Sequence, residues 1–250
     1  MRNVWIFLLS VYVSAASALT PEETREWLTP YGVEFGPLTV NINGKARLPL
    51  RAGFFSIDRF NSDQFFEDTG QLSMNKTTYL VGPEDMRWLA TLSYQNEGFV
   101  DDSEEIDAAA IMRALREGNN IANEERREKG LALVNINGWA MSPAYDTSTQ
   151  LLSWGMDYQF GSDRTYNYTS RLLGRSGFVA ATLTTYPETY QQHINEFESM
   201  LESFSFVQGE RYSEFQEGDK VAKYGLAALI TGGAVAVAAK SWKLIYVALS

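Results

Sequence analysis

From Leu38 to Ile57 apolar and polar residues alternate around Asn43-Gly44, the pattern of a β-hairpin. A two-residue loop would set Val40 opposite Arg47. A three-residue loop, Ile42-Asn43-Gly44 with Gly44 left-handed, pairs Val40 with Ala46 and Leu38 with Leu48, and this register is preferred because apolar then meets apolar. A short amphipathic helix is expected over 62–68, with strands over 78–81 and 87–94. The longest helix should run from Asp102, which forms a capping-box pair with Glu105, to Gly130, with Ile111, Leu115, Gly118 and Ala122 on one face. A second Asn-Gly turn is expected at Asn137-Gly138, inside a Val-Asn-Ile-Asn-Gly run that repeats 40–44 letter for letter. Residues 151–160 and 166–185 read as a long hairpin. A closing helix is expected with Pro187 in its first turn and Tyr190, Ile194, Phe197 and Leu201 on one face. Strands interleaved with helices predict an α+β fold: a mainly antiparallel sheet with packed helices.

The two ends differ from this middle. Arg2 precedes an apolar run from Val4 to Val13, and Ala16-Ser17-Ala18 supplies small residues for leader cleavage, so 1–18 reads as a signal peptide. The uncharged run Tyr224–Ala239, continued past Lys240 and Lys243 to Tyr246, is expected to be a C-terminal transmembrane helix over 224–246. Ala228, Gly232 and Ala236 recur every four residues in it. Such a stripe suits contact with a membrane-protein partner or a second copy, or it simply belongs to an Ala-rich anchor. The organisation expected is a leader, an extracytoplasmic domain over 19–208, a juxtamembrane segment over 209–223 and the anchor. That is expected to tether the chain to a membrane with its bulk outside the cytoplasm, and the absence of cysteine suits a bacterial envelope, hence an inner membrane with the bulk facing the periplasm.

Charge narrows the partners. The chain of 250 residues has a formal charge of −10. Arg2 lies in the leader and Lys240 and Lys243 at the far end of the anchor, so 18 basic residues face 31 acidic ones between them, a charge of −13. Such a surface repels phosphate backbones and argues against nucleic acid. There are no cysteines, which excludes thiol catalysis and cysteine-ligated metals. No cofactor motif is present.

Asp101, Asp102, Glu104, Glu105 and Asp107 crowd five carboxylates into seven residues. That composition suits either a hard cation or a helix start, but the EF-hand spacing fails because position twelve is Met112. Arg171 and Arg175, in a block with Asn167 and Tyr168, form the best candidate for an anionic ligand. Alternatively the two arginines pair with surplus carboxylates such as Asp146 or the Asp101 cluster. If both lie in one strand they point to the same face. Trp139, Tyr145 and Trp154 could line a groove or belong to the core. Arg211, Tyr212, Asp219 and Lys220 read as interfacial anchors or a partner contact. His193 is the only histidine and no Gly-x-Ser-x-Gly elbow accompanies it, while Ser73-Met74-Asn75-Lys76 lacks the partner motif of penicillin-recognising enzymes. No catalytic residue and no metal site is assigned.

Four blocks resemble the bacterial family catalogued as domain of unknown function 2167, described as uncharacterised membrane-anchored proteins. They are Gly98-Phe99-Val100-Asp101-Asp102 with Asn123 and Arg126; Gly138-Trp139-Ala140 with Pro143, Tyr145, Asp146 and Trp154; 167–175; and Gly209-Glu210-Arg211-Tyr212 with Phe215 and 219–226. The resemblance implies a leader, a periplasmic domain and an anchor, and no activity. The function expected is therefore a binding or scaffold domain. The alternative is a periplasmic hydrolase or ligand sensor holding an anionic ligand.

Overall fold

A computed structural model describes residues 20–69, 74, 76–128, 130 and 132–232. The expected leader over 1–18 lies outside them. The elements in chain order are α1 (Pro21–Leu28), β1 (Glu34–Phe35), β2 (Leu38–Ile42), β3 (Ala46–Leu50), β4 (Phe54–Ile57), α2 (Asn61–Asp68), β5 (Thr78–Pro83) and β6 (Leu89–Gln95). Then follow α3 (Ala108–Glu128), β7 (Val134–Asp146), β8 (Leu151–Phe160), β9 (Asp163–Leu173), β10 (Phe178–Thr185), α4 (Tyr190–Leu201), β11 (Ser205–Phe206) and α5 (Leu226–Thr231). Eight strands form one antiparallel sheet in the order β1-β4-β5-β6-β10-β9-β8-β7, and β11-β3-β2 form a second. The expected α+β class with a mainly antiparallel sheet holds.

Residues directly opposite one another in an antiparallel ladder share a face. Val81, Ala90, Leu183 and Tyr168 therefore lie on the first face of the large sheet, and Leu80, Thr91, Thr182, Thr169 and Trp154 on the second. The first face buries its apolar residues against β2, β3 and Ile194, Phe197 and Leu201 of α4. The second face carries apolar packing at its two ends. Leu28 of α1 and Phe65 and Phe66 of α2 seal Phe55, Ile57 and Leu80 at one end. Ile111 and Met112 of α3, with Leu226, Leu229 and Ile230 of α5, seal Leu152, Trp154, Met156 and Tyr158 at the other.

Several expectations are corrected. The first hairpin pairs Ile42 with Ala46 and Val40 with Leu48, so its loop is Asn43-Gly44-Lys45. Asn43 as well as Gly44 takes a left-handed φ, 54° and 69°, which asparagine tolerates, and this moves the loop one residue along without flipping any side chain to the other face.

The second Val-Asn-Ile-Asn-Gly is no turn. It opens β7, where Ile136 pairs with Tyr158 and Gly138 with Asp157, leaving Asn137 as the extra residue of a bulge. Contacts from outside the pentapeptide decide this: Asn137 donates to Asp157 Oδ1 at 2.9 Å, and Arg116 on α3 donates to the Asn137 carbonyl at 2.7 Å.

Helix α3 begins at Ala108, not Asp102. Asp107 accepts from the amides of Ala109 and Ala110, which is the cap the helix uses. Its buried face carries Asn119 and Asn123 where Gly118 and Ala122 were expected. Both amide side chains donate to the Val134 carbonyl, at 2.8 and 2.6 Å, and Asn123 Oδ1 accepts from the Val134 amide at 2.9 Å. Asn123 thus completes the backbone bonding of the first residue of an edge strand. The stretch 166–185 is two strands, β9 and β10, joined by a turn over 174–177.

The expected transmembrane helix is overturned. Among the described residues no helix is long and apolar enough to cross a membrane. Helix α5 ends at Thr231, where Gly232 turns left-handed with φ 65°. Its Leu226, Leu229 and Ile230 are buried against the sheet and α3. Hydropathy alone does not distinguish a bilayer from a protein core, and here α3 offers the apolar surface. Ala228 of the small-residue stripe is buried in the domain, while Ala236 and the rest of 233–246 lie outside the described residues.

Candidate functional site

The middle of the second face is a polar strip. Helices reach β5 from one side and β7 from the other. Between them β6 contributes Thr91 and Ser93, β10 contributes Ala180, Thr182 and Thr184, and β9 contributes Thr165, Asn167, Thr169 and Arg171. Thr169 and Thr182 bring their hydroxyls to 3.4 Å, consistent with that shared face. The β6 and β10 members are partly exposed, whereas Thr165, Asn167 and Thr169 are buried. The local cause is period-two alternation: the intervening Tyr168 and Leu172 go to the apolar first face.

Arg171 closes one end of the strip. Its guanidinium carbon stands 5.1 Å from the Trp154 ring centroid and 5.7 Å from that of Phe178. Nε is enclosed and has no hydrogen-bond partner among the described residues, and one terminal nitrogen reaches the Ser170 carbonyl only at 3.5 Å. Burial lowers the guanidinium to about 10, so it stays charged at neutral pH.

The other three candidates for an anionic ligand separate. Arg175 lies in the turn beyond β9 and grips Asp219 through two bonds of 2.7 and 2.9 Å, with that bonding holding the Asp219 carboxyl below its usual range. Tyr168 points to the opposite face and donates to Glu198 at 2.5 Å; burial first, then this bond, pushes its hydroxyl up to about 12. Asn167 alone shares the strip with Arg171.

The acidic cluster is dispersed among separate tasks. Asp101 accepts from Ser103, Asp102 from the Tyr145 hydroxyl at 2.7 Å, Glu104 from the Ala227 amide at 3.0 Å, and Asp107 caps α3. Glu105 is exposed. Among the described residues no group of three His, Asp or Glu is placed to hold a metal. Trp154 is buried in the core beneath α3, and Trp139 and Tyr145, partly buried, pack against it. His193 is buried under the first face with Nδ1 2.5 Å from the Thr185 hydroxyl, and burial lowers its pKa. Ser73 lies outside the described residues, and Lys76 sits in a turn with its amide on Asp63.

The segment 209–223 folds back onto the domain. Phe99 is stacked by Tyr212 at 4.4 Å and Phe215 at 4.1 Å, Tyr212 donates to the Val100 carbonyl, and Lys220 donates to the Asn96 carbonyl. Sequence reasoning missed this docking, and it missed the packing of the part-buried Arg171 against Trp154 and Phe178. The alternation that sends Tyr168 and Leu172 to one face could have placed Arg171 on the other.

The elements define an α+β domain with helices at both ends of one sheet face and a polar strip between them. The chain belongs to the family described as protein of unknown function (DUF2167), whose model matches residues 34–249. No curated protein matches. Among solved structures it is similar to the solution structure of cyanobacterial PsbP (CyanoP) from Synechocystis sp. PCC 6803. That match has 8% identity and a TM-score of 0.39, over 70% of this chain and 91% of that one. It is also similar to the Saccharomyces cerevisiae Ran-binding protein Mog1p, with 12% identity and a TM-score of 0.33, over 73% of this chain and 100% of that one. Likenesses this distant carry no argument about fold or partners.

Proposed function

We propose that the chain is a non-enzymatic binding domain that works outside the cytoplasm, on the periplasmic side in a bacterial envelope. The leader-like pattern over 1–18 supports the compartment. The observation that carries the binding role is the polar strip. A sheet face sealed at both ends and left polar in the middle is built for a ligand, since a face meant only to be core would continue the apolar pattern of its ends. The rival hydrolase reading needs two convergent titratable groups. Here His193 lies under the first face, Arg171 lies on the second, and four of the five acids of the cluster are engaged in separate hydrogen bonds.

A photo-crosslinking residue placed at Thr182, in the strip, tests the reading against the same residue at Ile121, on the exposed side of α3. Crosslinks to a defined species from Thr182 and none from Ile121 are expected in intact cells. Equal labelling from both, or none from Thr182, removes the strip as the binding surface.

A further inference from the structure

We infer that the cleft between the β3–β4 and β5–β6 turns is a second binding site, for a small zwitterion that carries a carboxylate and an ammonium group, as a free amino acid or short peptide does. It goes beyond the strip and does not depend on it. The cleft has a volume of about 360 Å³ and is lined by Arg51, Gly53, Phe54, Glu84, Asp85 and Arg87. Small-molecule sites run from roughly 300 to 1,000 Å³, so it stands at the small end of that range. Its walls are fixed. Phe54 pairs with Pro83 across β4 and β5, and the Glu84 amide donates to the Gly53 carbonyl at 2.9 Å, which sets the two turns side by side. Met86 anchors the second turn: its side chain is buried with Leu28 and Phe55, and its amide donates to the Pro83 carbonyl at 2.9 Å. Gly36 backs the first turn, since its amide donates to the Phe54 carbonyl at 2.8 Å and a Cβ there would stand 2.1 Å from the Arg51 carbonyl. Walls that cannot retreat hold their charges in position before a ligand arrives.

Those charges are of opposite sign and do not neutralise one another. On the first wall Arg51 lies over the Phe54 ring, 5.2 Å from its centroid, and makes no ion pair among the described residues. On the second, Glu84 accepts both Arg25 bonds on Oε2, at 2.7 and 3.2 Å, and Oε1 has no donor among the described residues. Asp85 accepts from the Arg87 amide and guanidinium, while Arg87 gives Nε and its other terminal nitrogen to Glu196. Arg51 is exposed and Glu84 half-buried, so water serves both; the placement of opposite signs, not an unmet charge, selects the ligand. A simple anion would gain from Arg51 but be opposed by Glu84, Asp85 and a chain of formal charge −10. A simple cation would meet Arg51 and Arg87. A zwitterion suits both walls and carries no net charge: its carboxylate takes the planar fork of Arg51, and its ammonium faces Glu84 and Asp85.

The test follows the backbone amide resonances of the isotope-labelled full-length chain as glycylglycine is added at neutral pH and constant ionic strength. N-acetylglycylglycine, which lacks the ammonium, and glycylglycinamide, which lacks the carboxylate, are the comparison probes. Saturable shifts at Gly53, Glu84 and Met86 are expected with the dipeptide. Each blocked form should bind at least about threefold more weakly, the scale of one solvent-screened charged pair. Arg51→Met should erase the dipeptide's advantage over the amide, and Glu84→Gln its advantage over the acetylated form. Arg113→Met, at an exposed position on α3, should change neither. No saturable shift at those amides, equal affinity for the three probes, or an unchanged preference in Arg51→Met overturns the assignment. So does tighter binding of either blocked form, which would make the cleft a site for a simple anion or a simple cation. Should either variant fail to fold, the three probes on the wild type decide alone. Crosslinking at Thr182 reads a different surface, so the strip and the cleft stand or fall separately.

Discussion

His193 and Thr185 form a pair whose behaviour with pH follows from burial. Burial holds the imidazole below its ordinary value of about 6.5. Glu196 favours the charged form, Arg87 opposes it and Asp85 favours it, but desolvation outweighs them. Because the folded pKa is depressed, the unfolded chain binds the proton more readily. The associated stability is present above about pH 6.5 and is lost as pH falls through the folded value. Urea midpoints should therefore decline between neutral pH and the onset of carboxylate titration, and His193→Gln should flatten that decline; the chain has no other histidine. A second residue-scale device is the contact of Gly155 with Tyr190. A Cβ at 155 would stand 2.0 Å from the Tyr190 hydroxyl, which is itself enclosed and without a partner among the described residues. Gly155→Ala should be strongly destabilising and Tyr190→Phe nearly neutral. The double variant should recover part of the loss, since Met141 N remains at 3.0 Å; a thermal double-mutant cycle reads the coupling.

At the scale of elements, the repeated pentapeptide is the clearest measure of how much local sequence determines. At 40–44 it makes a hairpin tip with two left-handed residues, and at 134–138 it makes a bulged strand. Gly44→Ala should then cost about 1 kcal/mol through its φ of 69°, while Gly138→Ala, with no positive φ and only Arg116 nearby at 3.9 Å, should cost less; chemical denaturation of the two variants checks this. Helices α2 and α4 and strands β5 and β6 were legible because their own apolar spacing specifies them. The start of α3 was not, because Asp101, Asp102 and Asp107 are all competent caps and tertiary contacts choose among them. Asp102 is taken by Tyr145, 43 residues away. The candidate site was legible in part for the same reason. Arg171 stands out by residue type, but its lack of a partner, and the capture of Arg175 by Asp219 44 residues on, are facts of the folded chain.

At the scale of the whole molecule, the domain does not end where composition suggests. The boundary expected at residue 208 would leave out the aromatic stack on Phe99, the Arg175–Asp219 pair and the short parallel bridge of Phe99 with Val221. It would also strip α5 from the second face. A chain ending at Gln208 should melt well below one ending at Gly232 and be cleaved faster by protease; equal midpoints would show that 209–232 is an appendage.

This docking has a mechanical corollary. Tension applied beyond Gly232 cannot be absorbed by slack between the last helix and the sheet. It must first peel α5 from its seat, where Glu104 holds the Ala227 amide, and then prise Phe99 from between its two stacked rings. Whatever fastens at Gly232 therefore fixes the tilt of the sheet as well as its distance.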